Sequence, residues 1–378
     1  MHVAFVSPFD AIDARAWSGI PLRMHRALAA HVTRVSVVPP LSLGPGFSRA
    51  TLRAATARLR GQAHNRYHTA DVADAYAEQT AKAIARLRPD AVLSPSSLPF
   101  ARLEADVPVA FWTDLTFEAA MFLYDGYAAL PDASIAEALR LDAAAIHRSH
   151  AFYASAYAAR SAVAYSGGDP VRVRVVPFGA NLDSVPTEAD VRGAIDARPT
   201  DVCNLLFLGV DWYRKGGDVA VQVADALNAA GVPTTLTVVG CTPVLDRPRP
   251  YVRTPGFLSK STPDGRAAFE RIVAASHLLV MPVRAEAFGC VFGEASAFGV
   301  PSVVTTSGGS GSAVADGENG FVFGPRTSAA EIAARVAALV RDPAAYRALA
   351  RSSRAVFDER LNWASATAVV AARLAEVA

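Results

Sequence analysis

Two glutamates, Glu286 and Glu294, stand eight positions apart, with Phe288-Gly289-Cys290-Val291 between them. Glu286 follows the apolar run Leu278–Met281, and a helix is expected to open near Gly289. The first N–H groups of a helix have no intrahelical partner, and together with the helix dipole they favour an anion. Glu294 falls about one and a half turns into that helix. Gly299 reads as its close and Pro301 as the start of a strand over Ser302–Thr306, followed by a loop with Gly308 and Gly309. Carboxylates accept hydrogen bonds from sugar hydroxyls while backbone N–H groups hold phosphate oxygens, so this combination suits a sugar diphosphate. An isolated pair at this spacing is ordinarily two solvated surface carboxylates. The ordered run from Ala287 to Pro301, then Ser307-Gly308-Gly309 and Val314 to Gly320, gives the pair its weight.

Three other stretches carry chemistry. Gly209-Val210-Asp211-Trp212-Tyr213-Arg214-Lys215-Gly216-Gly217 lies between an expected strand and an expected helix. Its glycines allow close backbone approach, Arg214 can bind a phosphate bidentately, and Lys215 acts as a point charge. Ser18-Gly19 occupies the first strand-to-helix turn, where Ser18 is either a helix cap or part of a ligand site. Phe111-Trp112-Thr113-Asp114 ends an apolar strand on an acid. Asp114 is either a cap for a helix from Phe117 onward or a group at the mouth of the sheet, where open α/β folds bind ligands.

The run around Glu286 and Glu294 resembles glycosyltransferase family 4, retaining enzymes that use nucleotide-activated sugars. The resemblance implies a GT-B fold: two Rossmann-like α/β domains with parallel sheets facing a central cleft, and a C-terminal helix crossing back after a bend near Trp363. It implies that Glu286 contacts the donor sugar and Glu294 the ribose, and that Lys215, helped by Arg214, neutralises the diphosphate leaving group. Ser18 and Gly19 would lie beside the donor, and Phe257 and Leu258 would meet the base through backbone groups. Phe288, Gly289, Cys290, Val291, Gly308 and Gly309 complete the implied donor site. Two positions depart from the pattern: Asp114 stands where many members carry histidine, and Ser312 where many carry glutamate.

The elements that must position these residues alternate strand and helix along the chain, the pattern of parallel sheets covered on both faces. At 378 residues and 52% hydrophobic, the chain exceeds what one core usually holds. The expected division is residues 1–183, completed by about 364–378, as an acceptor domain, and 184–363 as a donor domain, with Asp183–Thr200 as the linker. Three scattered cysteines, Cys203, Cys241 and Cys290, lack metal spacing and argue for a reducing compartment. No signal peptide is expected at Met1–Pro8, and no window approaches the ~20 apolar residues of a membrane span. A cytoplasmic protein is therefore expected, with peripheral contact to the inner membrane face as a second possibility.

Between Ala14 and Ala70 lie nine arginines and no acidic residue or lysine, within a net charge of +2. Arg49, Arg53 and Arg60 share one face of an expected helix Phe47–Gly61. That face is a solvated surface or a basic lip for an acidic acceptor or an anionic lipid surface. No aromatic or groove-reading motif accompanies it, so nucleic acid is not an expected partner. No paired-aspartate motif occurs, and no cofactor or metal is expected. The expected partners are a nucleotide-sugar donor and a glycan, lipid-linked or other hydroxyl acceptor. Competing expectations are a sugar-nucleotide epimerase in the same fold and a non-catalytic sugar-nucleotide sensor or scaffold.

Overall fold

The computed structural model describes residues 1–43, 51, 52, 54, 55, 59, 65–127 and 129–378. Arg49, Arg53 and Arg60 lie outside the described residues. The chain divides into two units, one of residues 1–177 with 363–378, the other of 178–362.

In the first unit the chain runs β1 (His2–Phe5), α1 (Ile20–Leu28), β2 (Arg34–Val37), α2 (Ala70–Leu87), β3 (Ala91–Ser94) and β4 (Val109–Thr113). It continues through α3 (Phe117–Leu123), α4 (Asp132–Arg148), β5 (His150–Tyr153), α5 (Ala156–Ala164) and β6 (Val173–Val175). All six strands are parallel, in the order β2-β1-β3-β4-β5-β6. The central strands β3 and β4 are almost wholly buried, which is why they read as continuous apolar runs without alternation. The helix Trp363–Val377 belongs to this unit and packs on α1. Trp363 meets the fully buried Trp112 ring edge-on at 5.6 Å, and the Trp112 indole N–H donates to the Val176 carbonyl at 2.9 Å.

In the second unit the order is α6 (Glu188–Ala197), β7 (Cys203–Leu208), α7 (Gly217–Ala229), β8 (Thr234–Val239), β9 (Val252–Gly256), α8 (Pro263–Ala275) and β10 (Leu278–Met281). Then come α9 (Cys290–Ala297), β11 (Ser302–Thr305), α10 (Ser310–Ala313), β12 (Gly320–Phe323), α11 (Ala329–Val340) and α12 (Pro343–Arg360), before the returning helix, α13. Its six parallel strands are ordered β12-β11-β10-β7-β8-β9. No helix among the described residues is long and apolar enough to cross a membrane.

Most of the alternation read from the sequence is present, and the differences have physical reasons. The stretch 183–200, read as a linker, folds into α6. A full capping box between Thr187 and Asp190 starts it, and Val191 and Ile195 are buried against Tyr346 and Ala350. A two-residue apolar face is too short to show as periodicity. Strand β9 carries Pro255 and a largely exposed backbone at the sheet edge, where proline removes no needed ladder bond.

Helix α9 ends in a Schellman motif. Gly299 adopts φ +61°, its N–H donates to the Ser296 carbonyl at 2.9 Å, and the Val300 N–H donates to the Ala295 carbonyl at 3.0 Å. The carbonyls beyond are taken by two guanidiniums. Arg198, only 5% exposed, donates to Phe298 O at 2.9 Å, Gly299 O at 2.8 Å, Ala274 O at 3.1 Å and the Tyr346 hydroxyl at 2.7 Å. Arg354 donates to Ala297 O at 2.8 Å and Pro186 O at 2.9 Å. Replacing Arg198 with alanine strands several buried acceptors at once, so a loss of at least ~3 kcal/mol is expected in chemical denaturation. Arg347→Ala, which breaks only an exposed contact to Asp196, is expected to cost less than ~1 kcal/mol.

His277 is buried and neutral: its Nδ1 accepts from the Asn204 N–H at 3.0 Å and its Nε2 donates to Pro199 O at 2.9 Å. Burial pushes its pKa from the ordinary 6.5 down to about 4, partly opposed by the Pro199 hydrogen bond. The unfolded chain then binds a proton that the folded chain refuses between those values. Stability is therefore full above pH 6.5 and is lost progressively as pH falls towards 4. Melts across this window should show a shallower pH slope for His277→Gln than for the wild type.

Candidate functional site

In the second unit the loops after β7 and β10 are joined along their backbones. The Arg284 N–H donates to Arg214 O at 2.8 Å, the Arg214 guanidinium to Ala285 O at 3.0 Å, and the Arg284 guanidinium to Tyr213 O at 2.6 Å. Arg284 also grips Asp218 with two 2.8 Å bonds. Burial acts to raise the Asp218 carboxyl, but the Arg284 bridge outweighs it and holds the group below its ordinary value. The loop thus bound carries Lys215, whose ammonium donates directly to Glu286 Oε2. Both side chains are largely buried, at 13% and 8% exposure. The Lys215 stem crosses Gly209, where a Cβ would lie 3.1 Å from Cγ.

Lys215, Arg214 and Glu286, three residues singled out from the sequence, are therefore in one place. The Gly309 N–H donates to the Glu286 carbonyl at 2.8 Å, which brings the Gly308-Gly309 loop to the same point. Gly308 takes φ +62° to make that turn. Gly289 is the N-cap of α9 at φ +89°, and no side chain caps the helix. A Cβ on Gly289 would lie 3.4 Å from Glu286 Cδ, so the helix start with Cys290 and Val291 abuts the carboxylate. Phe288 is buried and packs edge-on against Phe178 at 5.7 Å. The arrangement brings a cation from the loop after β7 to a carboxylate that stands beside an uncapped helix start, each with its backbone fixed.

Glu294 is buried at 6% exposure, and its Oε1 accepts from Lys260 Nζ at 2.6 Å. Lys260, which lies 34 positions from its partner in a polar loop, belongs to no motif that would single it out. Phe257 and Leu258 precede it at the end of β9, with the Phe257 ring 72% exposed.

Ser18, Gly19 and Asp114 belong to the first unit. Trp17, Ser18 and Gly19 all take positive φ, at 43°, 57° and 80°. The N-cap of α1 is Gly19, so Ser18 is not the helix cap. Two successive non-glycine residues in left-handed conformation at a strand-to-helix turn are a mark of functional sites. Asp114 is not a cap either. Thr116 caps α3 by accepting from the Ala119 N–H at 2.9 Å, and the buried Asp142 accepts from the Phe117 N–H at 2.8 Å. Asp114, half-buried at the end of β4, faces Tyr127, whose hydroxyl is raised by burial first and by the Asp114 charge second.

Gly216 tests how tightly the loop after β7 is built. It takes φ +77°, and a Cβ there would sit 2.1 Å from the Pro282 carbonyl oxygen. Gly231 has a similar φ of +73° with open space around it. Gly216→Ala should destabilise the fold by roughly 2 kcal/mol more than Gly231→Ala in parallel denaturant titrations, because only the first adds a clash to the backbone strain.

Residues 203–342 match the family described as Glycosyl transferases group 1. Glycogen synthase of Mycobacterium tuberculosis is 32% identical over 208 residues, covering 51% of this chain and 49% of its own. D-inositol 3-phosphate glycosyltransferase of Rhodococcus opacus is 34% identical over 206 residues, covering 50% and 44%. The chain spans about half the length of the curated relatives it matches. Among solved structures, sucrose-phosphate synthase of Thermosynechococcus elongatus superposes with a TM-score of 0.69 at 18% identity, covering 100% of this chain and 98% of the other. Anabaena HepE in complex with UDP-glucose gives 0.61 at 16% identity, with both chains fully covered. The chain thus has the GT-B fold of two parallel six-stranded sheets, and its residues 203–342 match the family described as Glycosyl transferases group 1.

Proposed function

We propose that this protein is a retaining glycosyltransferase that moves a hexose-type sugar from a nucleoside diphosphate to an acceptor hydroxyl. The observation that carries the reading is the direct pairing of Lys215 with Glu286 beside the uncapped start of α9. It is supported by the glycosyl transferases group 1 match and by a structural neighbour that binds UDP-glucose. A donor diphosphate takes the Lys215 ammonium and the helix N–H groups, with Arg214 adding charge. Glu286, released from Lys215, accepts from the sugar hydroxyls, and Glu294 meets the ribose. As the anomeric bond loosens, negative charge gathers on the departing diphosphate and the two cations stabilise it. The acceptor hydroxyl attacks from the same face, and the leaving phosphate takes its proton. In this reading the cations supply the positive charge locally, and no metal is called on.

The acceptor in this proposal is a glycan or lipid-linked hydroxyl of surface-glycan assembly on the cytoplasmic side. The arginine-rich N-terminal stretch is proposed to meet the anionic surface that presents it. Asp114, just past β4 in the first unit, is proposed as a further catalytic group.

A thermal-shift panel of UDP-, GDP-, ADP- and dTDP-sugars should find at least one donor that raises the melting temperature, since binding only the native state stabilises it. Because Lys215 and Glu286 are buried together, near-isosteric changes make the fair test. Lys215→Met and Glu286→Gln should each lower transfer by on the order of 10²-fold or more. Turnover near the wild-type rate in either variant would sink the assignment. Donor binding with no transfer to any hydroxyl acceptor would leave a sensor in place of an enzyme.

A further inference from the structure

The carboxylate of Glu294 is held from two directions. Lys260 Nζ lies 2.6 Å from Glu294 Oε1 and 3.0 Å from the main-chain carbonyl of Asn181. Both acceptor residues are only 6% exposed, whereas the Lys260 side chain keeps 36%. The ammonium also sits 5.2 Å from the centre of the Phe269 ring. One ammonium thus joins three stretches of chain: the segment before α6, the loop after β9 and helix α9. An exposed lysine paired to an exposed glutamate would hold little. Here both acceptors are buried, and a charge-assisted bond to each fixes the geometry of whatever they present.

Resting on the donor reading above, the consequence concerns the ribose. A carboxylate has about four lone-pair sites, and the two vicinal hydroxyls of ribose offer two donors. To accept from both, the carboxylate plane must be set before the ligand arrives, and a side chain that still rotates loses affinity on ordering. Lys260 occupies Oε1 from one side and leaves Oε2 and the remaining lone pair of Oε1 for the ligand. We propose that Lys260 is a positioning residue that orients Glu294 towards the ribose diol, so that the site selects ribonucleoside diphosphates over those lacking these hydroxyls. Lys260 acts through Glu294 and does not touch the reacting atoms.

The test compares UDP, GDP and ADP, each beside its 2′,3′-dideoxy counterpart, by calorimetry on wild type, Lys260→Met, Glu294→Gln and the double variant. The wild type should prefer at least one ribonucleotide over its dideoxy form. Lys260→Met should weaken that ribonucleotide about tenfold, a loss of ~1.4 kcal/mol, and leave the dideoxy form unchanged. In the Glu294→Gln background the Lys260 change should add little. Equal weakening of both forms would show a merely structural lysine and overturn the proposal while the donor reading stands. A wild type that binds none of the ribonucleotides would overturn both. Should Lys260→Met prove poorly folded, Glu294→Gln alone must still show the ribose-specific loss, and its absence would also end the proposal.

Discussion

The guanidinium of Arg198 is buried without a carboxylate partner among the described residues, and the second unit is arranged around it. A buried cation is costly unless its donors are all engaged. Arg198 engages four of its five N–H donors, three of them on the carbonyl ends of two helices, α8 and α9, where the helix dipoles are negative. Arg354 takes the neighbouring carbonyl of α9. Helix α9 is only eight residues long, so fixing its C-terminal end fixes its start as well. The uncapped start at Gly289 and the Glu294 carboxylate are placed by contacts at the opposite end of the same helix.

The same logic explains the pairing of Lys215 with Glu286. Two loops from separate strands are locked by three bonds between Arg214, Arg284 and the carbonyls of Arg214, Ala285 and Tyr213. With the backbone set, the two opposite charges can lie almost buried in contact. In the proposed reaction each changes partner: a ligand anion replaces Glu286 on the lysine, and ligand hydroxyls replace the lysine on Glu286. A site that satisfies its own charges in this way avoids the cost of holding either of them alone.

What the sequence disclosed follows from the range of each interaction. Glu286, Lys215, Gly289 and Gly309 were legible because they sit at turns between strongly apolar strands, where residue type and position constrain each other. The strands themselves were legible because parallel, doubly covered sheets leave unbroken apolar runs. Lys260 was not, since its meaning lies in a partner 34 positions away and in a carbonyl 79 positions away. Helix α6 was hidden for a related reason: Val191 and Ile195 find their cover on α12 and against Gly299, which no local window contains. The two roles left open for Asp114 are narrowed by Thr116 and Asp142, which together take the first N–H groups of α3. The turn at Ser18 shows the limit of propensity, since the cap position belongs to Gly19 and Ser18 is held left-handed beside it.

The helix Trp363–Val377 belongs with residues 1–177, although the whole of the second unit is encoded between them. Trp363 closes over Trp112 and the helix lies on α1. During synthesis the first unit therefore leaves the ribosome lacking one of its packed helices, with the apolar surface of α1 and the Trp112 edge uncovered. The second unit, continuous in the chain, has no such wait and can fold as it emerges. On the ribosome the order of maturation is thus inverted, and the N-terminal half is the later of the two to become resistant to chaperones and proteases.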